Sequence, residues 1–409
     1  SSNGSAQTGM KRFQAINQRK LADKWRKVLA DHPALGTPLA LVAKARRRGT
    51  ILVVDVATPD ASRDAGSLRL IAMMRLLVED GWHVVFAPDD GRADDGAIRE
   101  LGRFGIEVIA RPWVDGVPSW LLRFADDLHA AILSRHMVAS QYTSFVRRHA
   151  PGAKVIFDTV DLHFLREERA AERGGNASLA RQAATTREQE LKLIAEADIT
   201  FVVSEYERDL LSSLMPSANV DLLSTIHEVY GRTCGHKGRR DLLFIGGFGH
   251  PPNADAMNWM ASEILPELRR VAPDANILVA GDVPEGNRRV LSEAGLQMLG
   301  RVPDLEPLMS SALASIAPLR FGAGVKGKIN MAMSHGLPVI GTTVSVEGMR
   351  LENGVDVLVA DTAEAFTSAY ARLVRDEALW NSLSDHAIEN VRAHFSAEAA
   401  RDTLRRAIL

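Results

Sequence analysis

The sequence predicts an α/β protein built from two parallel sheets with helices on both faces. Short runs of β-branched and apolar residues alternate with segments of helical spacing along most of the chain. This alternation stops in the basic, glycine-rich stretch of residues 227–240 and then starts again. Because strands that alternate with helices form parallel sheets, we expect two Rossmann-like domains that face an interdomain cleft.

The first half opens with the apolar run of residues 50–55, which predicts a strand buried on both faces. Residues 67–79 follow with helical spacing, and Ser67 is expected to be the N-cap of that helix. Ser204 followed by Glu207 predicts a capping box at the start of a later helix. The other strands predicted in this half are residues 83–87, 106–109, 154–157 and 199–203.

The second half repeats the pattern, with strands predicted at residues 241–245, 276–280, 314–317 and 338–340. Met257, Trp259 and Met260 are expected to pack a helix against this sheet. The predicted organisation is a vector-derived remnant at residues 1–9, a basic arm or helix at 10–48, a first Rossmann-like domain at 49–230, a second Rossmann-like domain at 231–395 and a C-terminal helix at 396–409.

The composition is that of an ordinary globular protein, because 46% of the 409 residues are hydrophobic and 24% are charged. Cys234 is the single cysteine, which excludes an intrachain disulfide and favours a reducing compartment. No apolar run approaches the roughly 18 residues of a membrane-spanning helix, and no signal peptide is recognisable. We therefore expect a cytoplasmic protein.

The basic arm stands out from the rest of the chain. Between Lys11 and Arg48 there are eleven Lys/Arg and two acidic residues, a local charge of +9 in a chain of net charge −2. Such an arm favours contact with the inner face of an anionic membrane. A solvated linker, or a helix that docks on another domain, fits equally well. Only Phe13 and Trp25 interleave aromatic rings with the charges, so we expect no nucleic-acid partner.

The segment of residues 317–340 carries the strongest chemical signal. Gly322 and Gly324 follow a predicted strand and lead into a helix expected over residues 325–335. Glycines let backbone N–H groups approach an anion, and a helix start adds partial positive charge. Lys326, Lys328 and Arg320 surround this helix start, so we predict an anion site rather than a tight turn with surface lysines.

A second group of polar residues follows the strand of residues 154–157. Asp158, Asp161 and His163 lie just past the carboxyl end of that strand, where His163 can move a proton or bind a sugar hydroxyl. The aspartates are three positions apart, not the two that would hold a divalent ion on a nucleotide sugar, and we predict no metal. The alternative is that Asp161 caps a helix and His163 packs in the core.

Two glycine-rich turns complete the candidate site. Gly66 and Ser67 lie in the first strand-to-helix turn, and residues 246–253, with Gly247, form the matching turn of the second half. Neither turn has the Gly-x-Gly-x-x-Gly spacing of a dinucleotide site. Both turns fit a ligand that lies between two domains.

These motifs together resemble the retaining GT-B glycosyltransferases of family 4. In the second half they are Phe-Ile-Gly-Gly-Phe at 244–248 with Pro-Asn at 252–253, Gly-Arg-Val-Pro-Asp at 300–304, the loop 317–328, Gly-Leu-Pro-Val-Ile-Gly at 336–341 and Glu-Gly at 347–348. The first half adds residues 63–67 and 157–166. The resemblance covers residues 50–395 and extends to bacterial enzymes that build O-antigen or capsule polysaccharide, often within a larger chain of several transferases.

The resemblance implies a GT-B fold and a nucleotide-sugar donor without a separate cofactor or metal. It implies catalytic roles for Asp161, His163 and Lys326, with cations and backbone N–H groups stabilising the departing diphosphate. It implies a glycan or lipid-linked oligosaccharide as acceptor, and an upstream transferase domain joined through the basic arm. The donor-binding residues that it implies are Gly66, Ser67, Gly247, Arg301, Val302, Arg320, Gly322, Ala323, Gly324, Val325, Lys328, Asn330 and Glu347.

One departure from the family pattern bears on the donor. Many members carry two glutamates eight positions apart in this loop and helix, and the second holds ribose hydroxyls. Here the first falls at Gly322 or Ala323 and the second at Met331, which accepts no such hydrogen bond. Either the donor is a dTDP-sugar such as dTDP-rhamnose, with one hydroxyl fewer, or Glu347 or Asn330 takes over.

Two other functions compete with transfer. A nucleotide-sugar epimerase of the same fold would convert its donor without any acceptor, and no second acid–base pair supports it. A non-catalytic nucleotide-sugar or glycan-binding module would bind without turnover, and the missing glutamates favour it. The intact lysine loop with Asp161 and His163 favours an enzyme.

Overall fold

The computed structural model of the chain describes residues 10–27, 47–60, 65–174, 177–322 and 324–409. The chain divides into two compact units, Ser1–Gly49 and Thr50–Leu409. In the first unit, helix α1 spans Met10–Lys24 and exposes Phe13 and Leu21. The predicted vector remnant and residues 28–46 of the basic arm lie outside the described residues. Among the helices that are described, none is long and apolar enough to cross a membrane.

The second unit begins with a parallel sheet, which has seven strands in the part of the chain described and the order β3-β2-β1-β4-β5-β6-β7. Its strands are β1 Thr50–Asp55, β2 His83–Pro88, β3 Glu107–Val108, β4 Leu128–Ser134, β5 Lys154–Asp158, β6 Ile199–Val202 and β7 Val220–Leu222. The helices between them are α2 Ala65–Glu79, α3 Asp95–Arg103, α4 Val117–Phe124, α5 His136–His149, α6 His163–Gly174, α7 Ala177–Glu196 and α8 Glu205–Leu214.

The second sheet is also parallel, and its six described strands have the order β10-β9-β8-β11-β12-β13. These strands are β8 Leu242–Ile245, β9 Ile277–Ala280, β10 Gln297–Gly300, β11 Ala314–Ala317, β12 Val339–Gly341 and β13 Leu358–Val359. The helices are α9 Pro251–Trp259, α10 Leu265–Val271, α11 Glu285–Glu293, α12 Glu306–Ser311, α13 Gly327–Ser334, α14 Thr343–Val346, α15 Ala363–Arg375, α16 Glu377–His394 and α17 Ala397–Ile408.

The last helix, α17, returns to the first sheet. Leu404 and Ile408 are buried among the side chains that cover one face of β1, β2 and β4. The Asp80 carboxylate at the end of α2 accepts hydrogen bonds from Arg401 at 2.8 Å and Arg405 at 2.7 Å. The chain therefore crosses from the first sheet to the second and back again.

The predicted fold class, an α/β protein with two parallel sheets, is confirmed, and each predicted strand is present within a few residues. Four further strands, β4, β7, β10 and β13, were not predicted. Residues 228–240 contain neither helix nor strand, and the capping box of Ser204 and Glu207 is present. Met257 and Trp259 are buried against the second sheet, as expected. The N-cap role of Ser67 is wrong, because α2 begins at Ala65 and Ser67 lies within its first turn.

Candidate functional site

In the loop that joins β11 to α13, the two glycines that the sequence predicted to bind an anion adopt backbone conformations typical of glycine. Gly322 and Gly324 have φ values of 140° and 69°, a region that side chains with a Cβ rarely adopt. The helix starts later than predicted, because α13 begins at Gly327 and Lys326 is its N-cap. Lys326 therefore lies at the entrance of the helix and Lys328 in its first turn. We name residues 320–328 the donor loop.

Lys326 and Lys328 are held beside this loop by short contacts. The Lys326 ammonium donates a hydrogen bond to the carbonyl oxygen of Gly324 at 2.5 Å. The Lys328 ammonium donates to the side-chain oxygen of Asn253 and lies 4.7 Å from the centre of the Phe244 ring. These contacts fix both cations on the side of the loop that faces the turn after β8.

Burial disfavours the charged form of both lysine side chains. It lowers the pKa of Lys326 to about 8. Burial, with a smaller contribution from the charge of Lys326, lowers the pKa of Lys328 to about 7. The charge of Lys326 thus disfavours the charged form of Lys328, and a nearby anion would favour it. The donor loop is therefore suited to a ligand of high negative charge density.

Arg320, the third predicted cation of the loop, is engaged elsewhere. Its guanidinium forms a two-pronged ion pair with the Asp255 carboxylate, with hydrogen bonds of 2.8 and 2.5 Å, and lies over the Trp259 ring. Its charge is thus balanced within the second sheet's own helices. The geometry does not support the expectation that Arg320 flanks the anion together with the lysines.

Arg169, on α6 of the first half, supplies a third cation that the sequence did not reveal. Its guanidinium donates to both Glu347 carboxylate oxygens, at 2.8 and 3.2 Å, and to the carbonyl oxygen of Gly322 at 3.3 Å. It also lies 5.0 Å from the centre of the Tyr206 ring. Glu347, predicted to bind the donor, is therefore an ion-pair partner that ties α6 to the donor loop.

A second contact between the two sheets lies next to this ion pair. Gly348 has a φ of 73°, and a Cβ added there would lie 2.9 Å from the Ser204 Cβ. The Arg350 guanidinium donates to Glu205 at the start of α8. The segment after α14 therefore packs closely on the segment between β6 and α8, and it keeps the donor loop near the carboxyl ends of the first sheet.

Asp161 and His163 stand at the start of α6, but Asp161 does not cap the helix. The first backbone N–H groups are bound by two buried carboxylates from other helices. Glu190 accepts from His163 at 3.2 Å and from Phe164 at 2.8 Å, and Glu207 accepts from the Leu162 N–H at 3.1 Å. The alternative in which Asp161 caps the helix is thus wrong, whereas His163 is indeed buried.

The Asp161 carboxylate lies beside His163 and is only partly buried. Its oxygens lie 2.6 Å from Arg166 Nη1 and 3.5 Å from His163 Nδ1. Burial alone would lower the pKa of His163, but the contact with Glu190 and the charge of Asp161 outweigh it and raise that pKa. The side chain of His163 therefore holds a proton more readily than a histidine in water does.

Electrostatic effects connect this group with the donor loop. Burial lowers the pKa of His250, which lies in the turn after β8, and the charges of Lys328, Lys326 and Arg166 lower it further. Glu207 in turn acts on the pKa of Lys326. The charges of the two lysines and of Arg166 on α6 therefore act on the same histidine.

The remaining predicted residues divide by their surroundings. Gly66 and Ser67 are half-buried in the first turn of α2. Gly247 accepts a hydrogen bond from the Asn253 side chain at 3.0 Å, in the turn that also holds Lys328. Arg301 is exposed. Val302 packs on the buried side chains that cover one face of the second sheet, which we call the second core. Val325 is half-buried in the donor loop, and Ala323 lies outside the described residues.

Asn330 and Met331 lie one turn into α13. The Asn330 side chain is fully buried and donates to the Thr225 hydroxyl at 2.9 Å, and its Oδ1 has no hydrogen-bond partner in the described part of the chain. Met331 is half-buried against the second core. Asn330 thus links α13 to the segment that connects the two sheets.

His136 and Glu190 were also missed. The His136 and His163 rings meet edge to face with centres 4.8 Å apart, and the Glu190 carboxylate lies beneath both. The three residues belong to different helices, so no local spacing could have indicated them.

Comparisons with known proteins find similar sequences and similar folds. Residues 239–376 match the sequence model of a family described as "Glycosyl transferases group 1". A curated relative from Klebsiella pneumoniae, the "Uncharacterized 44.6 kDa protein in cps region", is 24% identical over 135 residues. That match covers 31% of this chain and 35% of the relative's length.

Several solved structures share the fold. HepE from Anabaena, in complex with UDP and glucose, is 12% identical, and the match covers 88% of this chain and 99% of that chain with a TM-score of 0.62. Sucrose-phosphate synthase from Thermosynechococcus elongatus is 15% identical, with coverage of 88% and 98% and a TM-score of 0.65. A mutant of TarM from S. aureus, in complex with Fondaparinux, alpha-GlcNAc-glycerol and UDP, is 10% identical, with coverage of 72% and 59% and a TM-score of 0.54.

Proposed function

We propose, on the premise that residues 239–376 form a group 1 glycosyltransferase domain within a GT-B fold, that this chain transfers a sugar from a nucleoside-diphosphate donor to a hydroxyl group of a bacterial surface glycan. The transfer retains the anomeric configuration and needs no metal ion on the diphosphate. The donor loop binds the diphosphate, and the start of α6 faces the sugar and the acceptor.

The observation that carries this proposal is a pair of lysines at a helix start, of which Lys326 is buried and Lys328 is half-buried. Lys326 and Lys328 flank a loop whose two glycines leave the backbone open to a ligand. Their lowered pKa values mean that the protein alone disfavours the charged form of both side chains, which a bound anion would favour. A diphosphate, with several charges on a small volume, meets that requirement better than a carboxylate does.

The same residues would stabilise the negative charge that develops during the reaction. When the bond between the sugar and the diphosphate breaks, negative charge grows on the departing phosphate oxygens. The two ammonium groups and the N–H groups at the start of α13 stabilise that charge, which lowers the barrier without a metal. Asp161 and His163 then position the acceptor hydroxyl on the face of the sugar that the diphosphate leaves.

Our choice of nucleotide depends on which hydrogen-bond acceptors Met331 and its neighbours provide for the ribose hydroxyls. Met331 accepts no hydrogen bond from a ribose hydroxyl. Asn330 is engaged with Thr225, and Glu347 is engaged with Arg169. Because the Asn330 side chain is fully buried and Glu347 is paired with Arg169, we favour a deoxyribose donor, dTDP-rhamnose being one example, over a UDP-sugar.

The nature of the acceptor is supported by the curated relative, whose name associates it with a cps region. We propose a lipid-linked oligosaccharide at the cytoplasmic face of the membrane as the acceptor. The basic arm, with seven Lys/Arg between residues 11 and 27, would hold the enzyme at that surface. In a longer chain it would join the enzyme to an upstream transferase domain.

The test is turnover of a donor panel. UDP-, GDP- and dTDP-sugars are incubated with simple alkyl glycosides, and release of the nucleoside diphosphate is measured. We expect one donor class to be consumed, with a product whose anomeric configuration matches that of the donor in the proton spectrum. Lys328→Met should abolish release, whereas Lys237→Ala, an exposed lysine away from the loop, should not. Release from no donor, or equal release by both variants, would contradict the proposal.

A further inference from the structure

We propose that His136, His163 and Glu190 form a binding site for a divalent transition-metal ion of the zinc class. The three residues lie on α5, α6 and α7, and one potential ligand atom from each lies within 4.8 Å of the others. Two imidazoles and one carboxylate are a donor set that proteins use for zinc. The site belongs to the first sheet and is separate from the donor loop.

The distances fit a metal ion with little movement. In tetrahedral zinc coordination, bond lengths near 2.0–2.1 Å separate neighbouring ligand atoms by about 3.4 Å. Glu190 Oε1 lies 3.6 Å from His163 Nδ1 and 3.9 Å from His136 Nδ1. Both separations are within about 0.5 Å of the ideal value, and the ligand atoms of the two histidines lie within 4.8 Å of each other. His163 Nδ1 also lies 3.1 Å from the Asp161 carbonyl oxygen, so metal binding replaces that hydrogen bond and needs small rotations of the side chains.

His136 is the residue that the protein alone leaves unexplained. Its Nδ1 is buried and has no hydrogen-bond partner within the described residues, which destabilises the folded chain. A neutral imidazole with a free lone pair is the form that binds a metal.

The backbone before each histidine is strained. Arg135, directly before His136, has a φ of 70°, and Val160, three residues before His163, has a φ of 65°. A β-branched residue in this region is a genuine outlier. Both lie just past the paired ends of β4 and β5, where Ser134 is opposite Asp158. The strain turns the chain so that the two rings meet, and such strain concentrates at binding sites.

The hydrogen bonds that Glu190 already accepts do not prevent its carboxylate from binding a metal ion. Its oxygens accept the N–H groups of His163 and Phe164, but each carboxylate oxygen has a second lone pair. The same carboxylate also balances the partial positive charge of the helix start, which would otherwise disfavour a cation. Asp161 Oδ1, 3.5 Å from His163 Nδ1, lies on the more open side of the cluster, where it or a water completes the coordination.

The test is a titration with Co²⁺, which absorbs visible light when it replaces zinc in a site of this kind. The protein carries Cys234→Ser, because the exposed Cys234 and His236 could hold an ion loosely. It is stripped with a chelator, titrated with Co²⁺ and then with Zn²⁺. We expect an absorption band that saturates at one equivalent and is displaced by Zn²⁺. A band that does not saturate, or no band at all, would refute the site.

Two histidines of α5 provide the matched variants. His136→Ala removes a proposed ligand whose Nδ1 has no hydrogen-bond partner within the described residues, and we expect at least tenfold weaker Co²⁺ binding. His149→Ala, at the far end of the same helix, should bind like the parent protein. If His136→Ala binds Co²⁺ as tightly as His149→Ala does, the cluster is not the metal site. The measurement uses no nucleotide, so its outcome is independent of the proposed donor binding.

Discussion

Binding of a nucleoside diphosphate to the donor loop should take up protons from solution. Burial lowers the pKa of Lys326 to about 8 and that of Lys328 to about 7. At pH 8 about half of the Lys326 population and about nine-tenths of the Lys328 population are therefore neutral. Because the bound diphosphate favours the charged form of both, binding should take up about 1.4 protons at this pH. The affinity should accordingly fall as the pH rises above 7.

Isothermal titration in buffers of different ionisation enthalpy measures this number directly. The observed binding enthalpy, plotted against the buffer's ionisation enthalpy at pH 8, should give a slope near 1.4 protons for the wild-type chain. In Lys328→Met the slope should fall to about 0.5, the share of Lys326 alone. A slope of zero in the wild type, with binding still present, would show that the diphosphate does not meet these two lysines.

Three further predictions concern the rest of the site and the fold. Arg169→Met should weaken nucleoside-diphosphate binding by about tenfold in titrations, because the Gly322 carbonyl and the Glu347 carboxylate lose the side chain that holds them. Asp161→Asn should lower kcat by about 10²–10⁴-fold in the donor-release assay, with the KM for donor unchanged. Leu404→Ala should lower the free energy of unfolding by about 2–5 kcal/mol in urea, whereas the exposed Arg406→Ala should change it by less than about 0.5 kcal/mol.

Each of these predictions has an outcome that would contradict it. Unchanged binding in Arg169→Met would mean that its ion pair with Glu347 serves only to join the two sheets. Wild-type kcat in Asp161→Asn would remove the start of α6 from the reaction. Equal stability of the two variants in α17 would mean that this helix is not part of the first core.

The strands that the sequence predicted are those with compact apolar runs between turn residues. β4 was missed because its sequence, Leu-His-Ala-Ala-Ile-Leu-Ser, follows the apolar helix α4 with only three residues between them. β10 was missed because exposed and half-buried residues alternate along it, and β13 because it has two residues. The start of α13 was misplaced by two residues because Lys326 has a non-helical ψ of 92°.

The site was predictable only where a single segment builds it. Residues 317–328 carry their own signal, since a strand end, two glycines and two lysines are neighbours in sequence. Arg169 and Glu347 are 178 positions apart, and the buried carboxylates that cap α6 come from two other helices. Contacts of this kind depend on how the helices pack around the sheets, which the spacing of residues in one segment does not encode.

The central claim is that the donor loop binds a nucleoside diphosphate, and a thermal-shift screen tests it most directly. UDP, GDP, dTDP, CMP and NAD are compared with the wild-type chain, Lys326→Ala and Lys237→Ala, because a ligand of the folded state raises the melting temperature. We predict that one nucleoside diphosphate, dTDP in our proposal, stabilises the wild type and Lys237→Ala but not Lys326→Ala. A shift with none of the diphosphates, or an equal shift in Lys326→Ala, would contradict the claim.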